Sequence, residues 1–249
     1  MDTPIDRELR YHAENEDSNP NSPVNPPASA NIAHSLQTMT LLRESDVRFQ
    51  PNVSTIQIPD SSSDNRTQRL TGAIKTILEC IGEDAGREGL RDTPQRYAKA
   101  MLYFTKGYGE SIHSVTNGAI FNENYQGLVV VKDIDLFSLC EHHMIPFLGK
   151  VHIGYIPNGQ IIGLSKLPRI VEMLAHRLQV QERLTGQIGR AIFDLLQPHG
   201  VGVVMECSHL CMQMRGVQKV GSSTTTSFML GCLEMSASHR EEFFSALKK

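Results

Sequence analysis

The chain has 249 residues, a formal charge of −3, 40% hydrophobic residues, no Trp and five Cys. This length and apolar content suit one or two domains with a sizeable core; they exclude membrane-spanning and collagen-like classes. The charge is uneven, because residues 1–65 hold ten acidic and four basic side chains, whereas residues 66–249 hold 17 and 20.

The first segment also holds seven of the twelve Pro and only two of the fifteen aromatic residues, Tyr11 and Phe49. So little apolar area cannot offset the entropy of ordering, so residues 1–65 read as a disordered acidic tail and 66–249 as the folded body. Ser61, Ser62 and Ser63 between Asp60 and Asp64 mark a candidate phosphorylation cluster in that tail. The opening residues show no basic start followed by an apolar run, which predicts no secretory signal and a cytoplasmic protein. In that reducing setting the five Cys read as thiols or metal ligands rather than as a disulfide framework. A body charge of only +3 argues against a nucleic-acid surface.

The body opens with Leu70, Ile74, Ile77, Leu78 and Ile81, spaced as one helical face. Asp92-Thr93-Pro94 signals a second helix, with Thr93 as a cap, Pro94 in the first turn, and Ala98, Met101 and Leu102 behind. Residues 128–131 and the alternating Val151, Ile153 and Tyr155 read as strands, the latter closed by the Pro157-Asn158-Gly159 turn. A helix is predicted over 165–179, with Leu167, Ile170, Val171, Leu174, Ala175 and Leu178 on one stripe. Another carries Leu184, Ile188, Ile192 and Leu195 and stops before Pro198. Val201, Val203, Met205, Cys207, His209 and Cys211 then alternate, so a single strand would present all six on one face. Residues 224–233 read as a further strand and 241–247 as a closing helix, an α+β order.

Cys140-Glu141-His142-His143 puts one thiolate and two imidazoles into four residues, which is metal-ligand chemistry. His209-x-Cys211 offers a second short segment to meet it. Ligation by Cys140, His143 and Cys211 leaves the fourth tetrahedral position of Zn²⁺ open, as in a catalytic site, while Cys207 on the same predicted face allows a closed structural Cys₃His site instead. In an open site, His142 and His209 are candidates for proton transfer. Ser165, Lys166 and Arg169 gather a hydroxyl and two cations at a helix start suited to phosphate, and Arg215 and Arg96 offer further cations. No Gly-x-x-x-x-Gly-Lys-Ser/Thr loop occurs, so a triphosphate would be held by side chains and a helix end. Glu182, in the first turn of the next helix, suits either a guanine N–H and amine or the helix dipole. The run 222–227 reads as a polar strand face, since no Ser-His-Asp motif accompanies it.

These motifs, together with Glu88-Gly89-Leu90-Arg91-Asp92-Thr93-Pro94, Gly163-Leu164-Ser165-Lys166, Gln179-Val180-Gln181-Glu182-Arg183 and Met214-Arg215-Gly216, resemble the GTP cyclohydrolase I family from about Ala73 to Leu247. The resemblance implies a tunnelling fold: N-terminal helices, then antiparallel sheet with helices packed on one side, the sheets closing into an oligomeric barrel and a homodecamer with active sites at subunit interfaces. It implies zinc on Cys140, His143 and Cys211, guanine anchored by Glu182 with Gln181 beside it, and triphosphate on Ser165, Lys166, Arg169 and Arg215, with Arg96 from a neighbouring subunit. His142 and His209 take proton transfers as GTP is hydrated at C8, loses formate and rearranges to 7,8-dihydroneopterin triphosphate. A regulatory protein partner and the choice between folate and tetrahydrobiopterin as end product are left open by the resemblance, as is any effect of Cys207 on the metal.

Overall fold

A computed structural model describes residues 63–248; residues 1–62 of the acidic tail, with Ser61 and Ser62, lie outside the described residues, whereas Ser63, Asp64 and Asn65, read from sequence as the end of the disordered tail, form the first turn of a helix. Helix α1 spans Ser63–Cys80 and packs against α2, Thr93–Phe104. The expected apolar face of α1 is only partly covered, since Leu78 is buried while Ile77 and Ile81 are 53% and 68% exposed. At α2, Asp92 is the capping residue, Thr93 is the first helical residue and Pro94 follows it, where a missing N–H costs nothing. A single 3-10 turn, Lys106–Gly109, and the short α3, Ile112–Thr116, lead to the sheet.

The main sheet has five strands in the order β5-β2-β3-β6-β7. These are β2 (Val129–Cys140), β3 (Pro146–Ile156), β5 (Leu178–Gln179), β6 (Gly200–His209) and β7 (Thr224–Gly231). Every pairing is antiparallel except β2 with β5. A separate two-stranded sheet joins β1 (Ile120–Asn122) to β4 (Gln160–Ile162). The expected α+β order is thus borne out.

Helices α4 (Lys166–Ala175) and α5 (Gln181–Leu196) cover one face of the sheet. Their stripes Leu167, Ile170, Leu174 and Leu184, Ile188, Ile192 bury against Val151, Ile153, Val201, Val203 and Met205. A smaller cluster occupies the other face, where Phe243 of α8 (Ala237–Leu247) sits over Gly154 and Gly202, whose missing side chains make room for its ring.

Besides the cap of α2, which is Asp92 rather than the expected Thr93, three local readings differ from the structure. The helix predicted over 165–179 ends at Ala175, because the Leu178 N–H donates to the Tyr108 hydroxyl (3.1 Å) and Arg177 Nε to the Gly107 carbonyl (3.0 Å), drawing the chain out to pair with β2. The strand predicted through residue 233 stops at Gly231, whose φ of +64° turns it into the four-residue α7, Cys232–Met235. Cys211 is not on β6: that strand ends at His209 opposite Phe147, and Cys211 lies in the helical turn α6, Leu210–Gln213. The next residue on β3 is Pro146, which has no N–H to continue the ladder.

Candidate metal centre and active site

Cys140 ends β2, and a tight turn reverses the chain into β3. The Met144 N–H donates to the Cys140 carbonyl (2.7 Å), the Cys140 N–H to the Ile145 carbonyl (3.0 Å), and Met144 adopts φ +53°. The side chains of His142 and His143 are exposed at this turn, with His142 Nδ1 3.9 Å from Cys140 Sγ. From the next strand but one, α6 folds Cys211 back toward them. The donor atoms of Cys140, His143 and Cys211 all lie within 4.8 Å of one another. Two thiolates on one tetrahedral zinc stand about 3.8 Å apart, given Zn–S bonds of about 2.3 Å, so this trio fits such an ion with small adjustments.

Cys207 does not join the trio. It is buried in the core, packed where a Cβ on Gly149 would lie 2.8 Å from its sulfur, and burial pushes its thiol up to about 12. Of the two arrangements the sequence allowed, the described residues therefore assemble the three-ligand group. Burial, and then the neighbouring Cys140, raise the Cys211 thiol above its ordinary range, so the metal-free Cys211 retains a proton that an ion must displace.

His209 lies beside this cluster, stacked on Phe147 with ring centroids 4.6 Å apart and planes within 10°. Its Nε2 is 2.8 Å from Gln181 Oε1. The Gln181 amide can point only one way, because its nitrogen donates to the carbonyls of Thr224 (2.8 Å) and Met205 (3.3 Å), with Thr226 Oγ1 at 3.1 Å. Its oxygen therefore accepts from His209, placing the imidazole proton on Nε2 and leaving Nδ1 with a lone pair in the neutral ring. Burial lowers the His209 pKa, and the Glu182 carboxylate opposes that shift. Gln181 itself is only 2% exposed, its side chain turned inward to His209 and β7. Arg215 follows α6 and acts electrostatically on Cys211.

The remaining candidate residues are not gathered at this end of the sheet. Ser165 starts α4 with its hydroxyl uncommitted to capping, and Lys166 and Arg169 lie in the first turn. The Ile162 N–H just before them donates to the Tyr155 hydroxyl (3.4 Å), and Tyr155 pairs with Val129 at the start of β2. The far end of α4 is tied to the other end of β2, where Ser138 donates to the Ala175 carbonyl (2.7 Å) two residues before Cys140. The start of α4 thus stands one helix length, about 15 Å, from the end of the sheet bearing the metal trio. Arg96 is exposed on α2 and bonds Asp92 and Thr93 of its own segment, both at 3.4 Å.

Sequence reading missed Arg183. Its guanidinium bonds the Glu141 carboxylate, Gln179 Oε1 (3.2 Å) and the Leu178 carbonyl (3.3 Å), and the Arg183 hydrogen bond holds the Glu141 carboxyl below the usual range. The contact depends on the two-residue strand β5, which has no periodic signal of its own.

A Cys₂His donor set beside His209, whose imidazole is held by Gln181, defines the class: a candidate metal-dependent hydrolytic centre on an α+β sheet. The sequence profile described as GTP cyclohydrolase I matches residues 70–248, and the chain belongs to that family, which has the tunnelling fold. Among its relatives, the GTP cyclohydrolase 1 of Saccharomyces cerevisiae is 59% identical over 201 residues, covering 79% of this chain and 82% of the yeast protein. That of Neurospora crassa is 57% identical over 188 residues, covering 76% of this chain but only 60% of its own length. That of Homo sapiens is 55% identical over 192 residues, covering 76% and 77%. No helix among the described residues is long and apolar enough to cross a membrane.

Proposed function

We propose that the chain is a zinc-dependent hydrolase that converts GTP and water to 7,8-dihydroneopterin triphosphate and formate, the first step of pterin synthesis. The observation that carries this reading is the Cys140–His143–Cys211 trio beside His209, in a chain of the GTP cyclohydrolase I family. Zinc held there would supply Lewis-acid activation of the water that adds to guanine C8.

The chain's own residues supply the rest. Glu182, exposed in the first turn of α5, accepts the guanine N–H and amine and so fixes which carbon faces the metal trio. His209 offers the Nδ1 lone pair as a base, and His142, next to Cys140, is the second proton carrier for ring opening and formate release. Ser165, Lys166, Arg169 and Arg215 bind the triphosphate, joined by Arg96.

Because α4 starts at the opposite end of the sheet, the Ser165–Lys166–Arg169 group at a given site comes from a neighbouring copy, as does Arg96. This supports a homo-oligomer with active sites between subunits, a barrel of sheets and a decamer being the arrangement the family implies. Residues 66–249 form the catalytic body, preceded by the acidic tail. Zinc content measured together with pterin fluorescence after adding GTP tests the reading. A zinc-loaded chain that binds GTP and releases no formate would overturn it.

A further inference from the structure

Two ligand positions, Cys140 and His143, lie at the start of and within the turn that follows β2, while the third, Cys211, arrives on a separate element. The backbone bonds between Cys140, Met144 and Ile145 fix the shape of the turn. Its tilt relative to Cys211 is fixed from outside, by β5 and α5. The Glu141 N–H donates to the Gln179 carbonyl (3.0 Å), and the Glu141 carboxylate meets Arg183. Arg183 is itself held at Nε by Gln179 Oε1 and at Nη2 by the Leu178 carbonyl. Gln179 is 1% exposed, and its amide donates to the Leu174 carbonyl and to Gln187 Oε1, both at 2.9 Å. An unbroken run of polar bonds therefore leads from the last turn of α4 and from Gln187 of α5 to the residue between Cys140 and His142.

We propose that Arg183 and Glu141 are positioning residues for the metal centre, their ion pair holding the ligand turn at the tilt that lets Cys140 and His143 meet Cys211 around one ion. The inference rests on the metal reading above. The two side chains are 35% and 33% exposed, and a pair so open to water adds little to folding stability. Its effect lies in the alignment of donors, where partners one shell beyond the ligands characteristically change metal affinity 10- to 100-fold, on the order of magnitude.

The test compares full-length parent, Glu141→Ala, Arg183→Met and the double variant. Zinc affinity is measured by competition with a chromophoric chelator, and the visible spectrum is recorded after loading with cobalt(II). Each single variant is expected to bind zinc about tenfold more weakly and to shift the thiolate-to-cobalt bands. The double variant is expected to be no weaker than Arg183→Met, because both changes remove one interaction. Parent-like affinity and spectrum in Glu141→Ala, or losses that add in the double variant, would overturn the proposal. Glu141→Ala trims an exposed turn and decides the matter alone if Arg183→Met does not fold. A parent chain that binds no zinc would instead refute the metal reading itself.

Discussion

Replacing Gln181 with Leu tests the hydrogen-bond chain that assigns the His209 proton. Leucine is close in volume to glutamine but removes the bonds of 2.8 Å to His209 Nε2 and the Thr224 carbonyl, and with them the longer ones to Thr226 Oγ1 (3.1 Å) and the Met205 carbonyl (3.3 Å), whose groups keep other partners in the sheet and at Thr185. Each buried group left without its partner costs about 1–3 kcal/mol. The added apolar contacts of leucine return part of that, so the net loss of unfolding free energy is about 2–3 kcal/mol. The larger effect falls on turnover: an imidazole free to rotate and to exchange tautomers no longer presents Nδ1, and positioned proton transfer contributes about 10²–10⁴-fold. The kcat, read from pterin fluorescence, is therefore expected to fall at least ~100-fold with KM for GTP little changed. Nitrogen-15 NMR of the parent should show Nε2 as the protonated nitrogen of His209. A Gln181→Leu enzyme with normal kcat and a raised KM would refute this reasoning and return Gln181 to direct contact with substrate.

Other expectations follow from the same structure. Cys211→Ala should lose zinc and formate release together, whereas His209→Ala should retain zinc by metal analysis and lose turnover; a fully active His209→Ala would contradict the assigned role. Burial, and secondarily Lys106, hold the His176 pKa below its ordinary 6.5, and its Nδ1 has no hydrogen-bond partner. The unfolded chain then takes up that proton first as pH falls, so its contribution is full above about 6.5 and is lost as pH falls through the folded value. Urea midpoints measured between about pH 8 and 5 should decline toward acid, and less steeply in His176→Gln. Gly149→Ala would bring a Cβ within 1.9 Å of the Glu206 carbonyl oxygen and 2.7 Å of the Cys207 Cα, so β3 and β6 must separate beside the ligand turn. Thermal melts should show a loss of about 1–3 kcal/mol.

The helices and long strands were legible because their apolar residues repeat at periods that only one backbone conformation places on one face. Leu184, Ile188 and Ile192 declare α5, and Val201, Val203 and Met205 declare β6, before any contact is known. The chemistry was legible where ligand types cluster locally, as in 140–143. What escaped depended on pairing between distant segments. Cys211 could not be placed off the strand without knowing that Pro146 lies opposite the next position. Leu178–Gln179 looked helical because Leu178 continues the stripe of α4, and only its partnership with Leu139 and Cys140 makes it a strand. The inward direction of Gln181 and the reach of Arg183 to Glu141 followed from that same pairing. The separation between the start of α4 and the metal trio is likewise a property of sheet order, which no motif encodes.

That separation would give the proposed assembly an unusual genetics. On the proposed shared site, a chain damaged at Cys211 still lends an intact α4 start to its neighbour, and a chain damaged at Lys166 still carries a sound metal trio. Two preparations, each inactive, should therefore recover part of their turnover when unfolded and refolded together, since some interfaces will draw one sound half from each parent. On that proposal the unit that succeeds or fails is the junction between chains, and a population of mixed chains would behave according to its junctions.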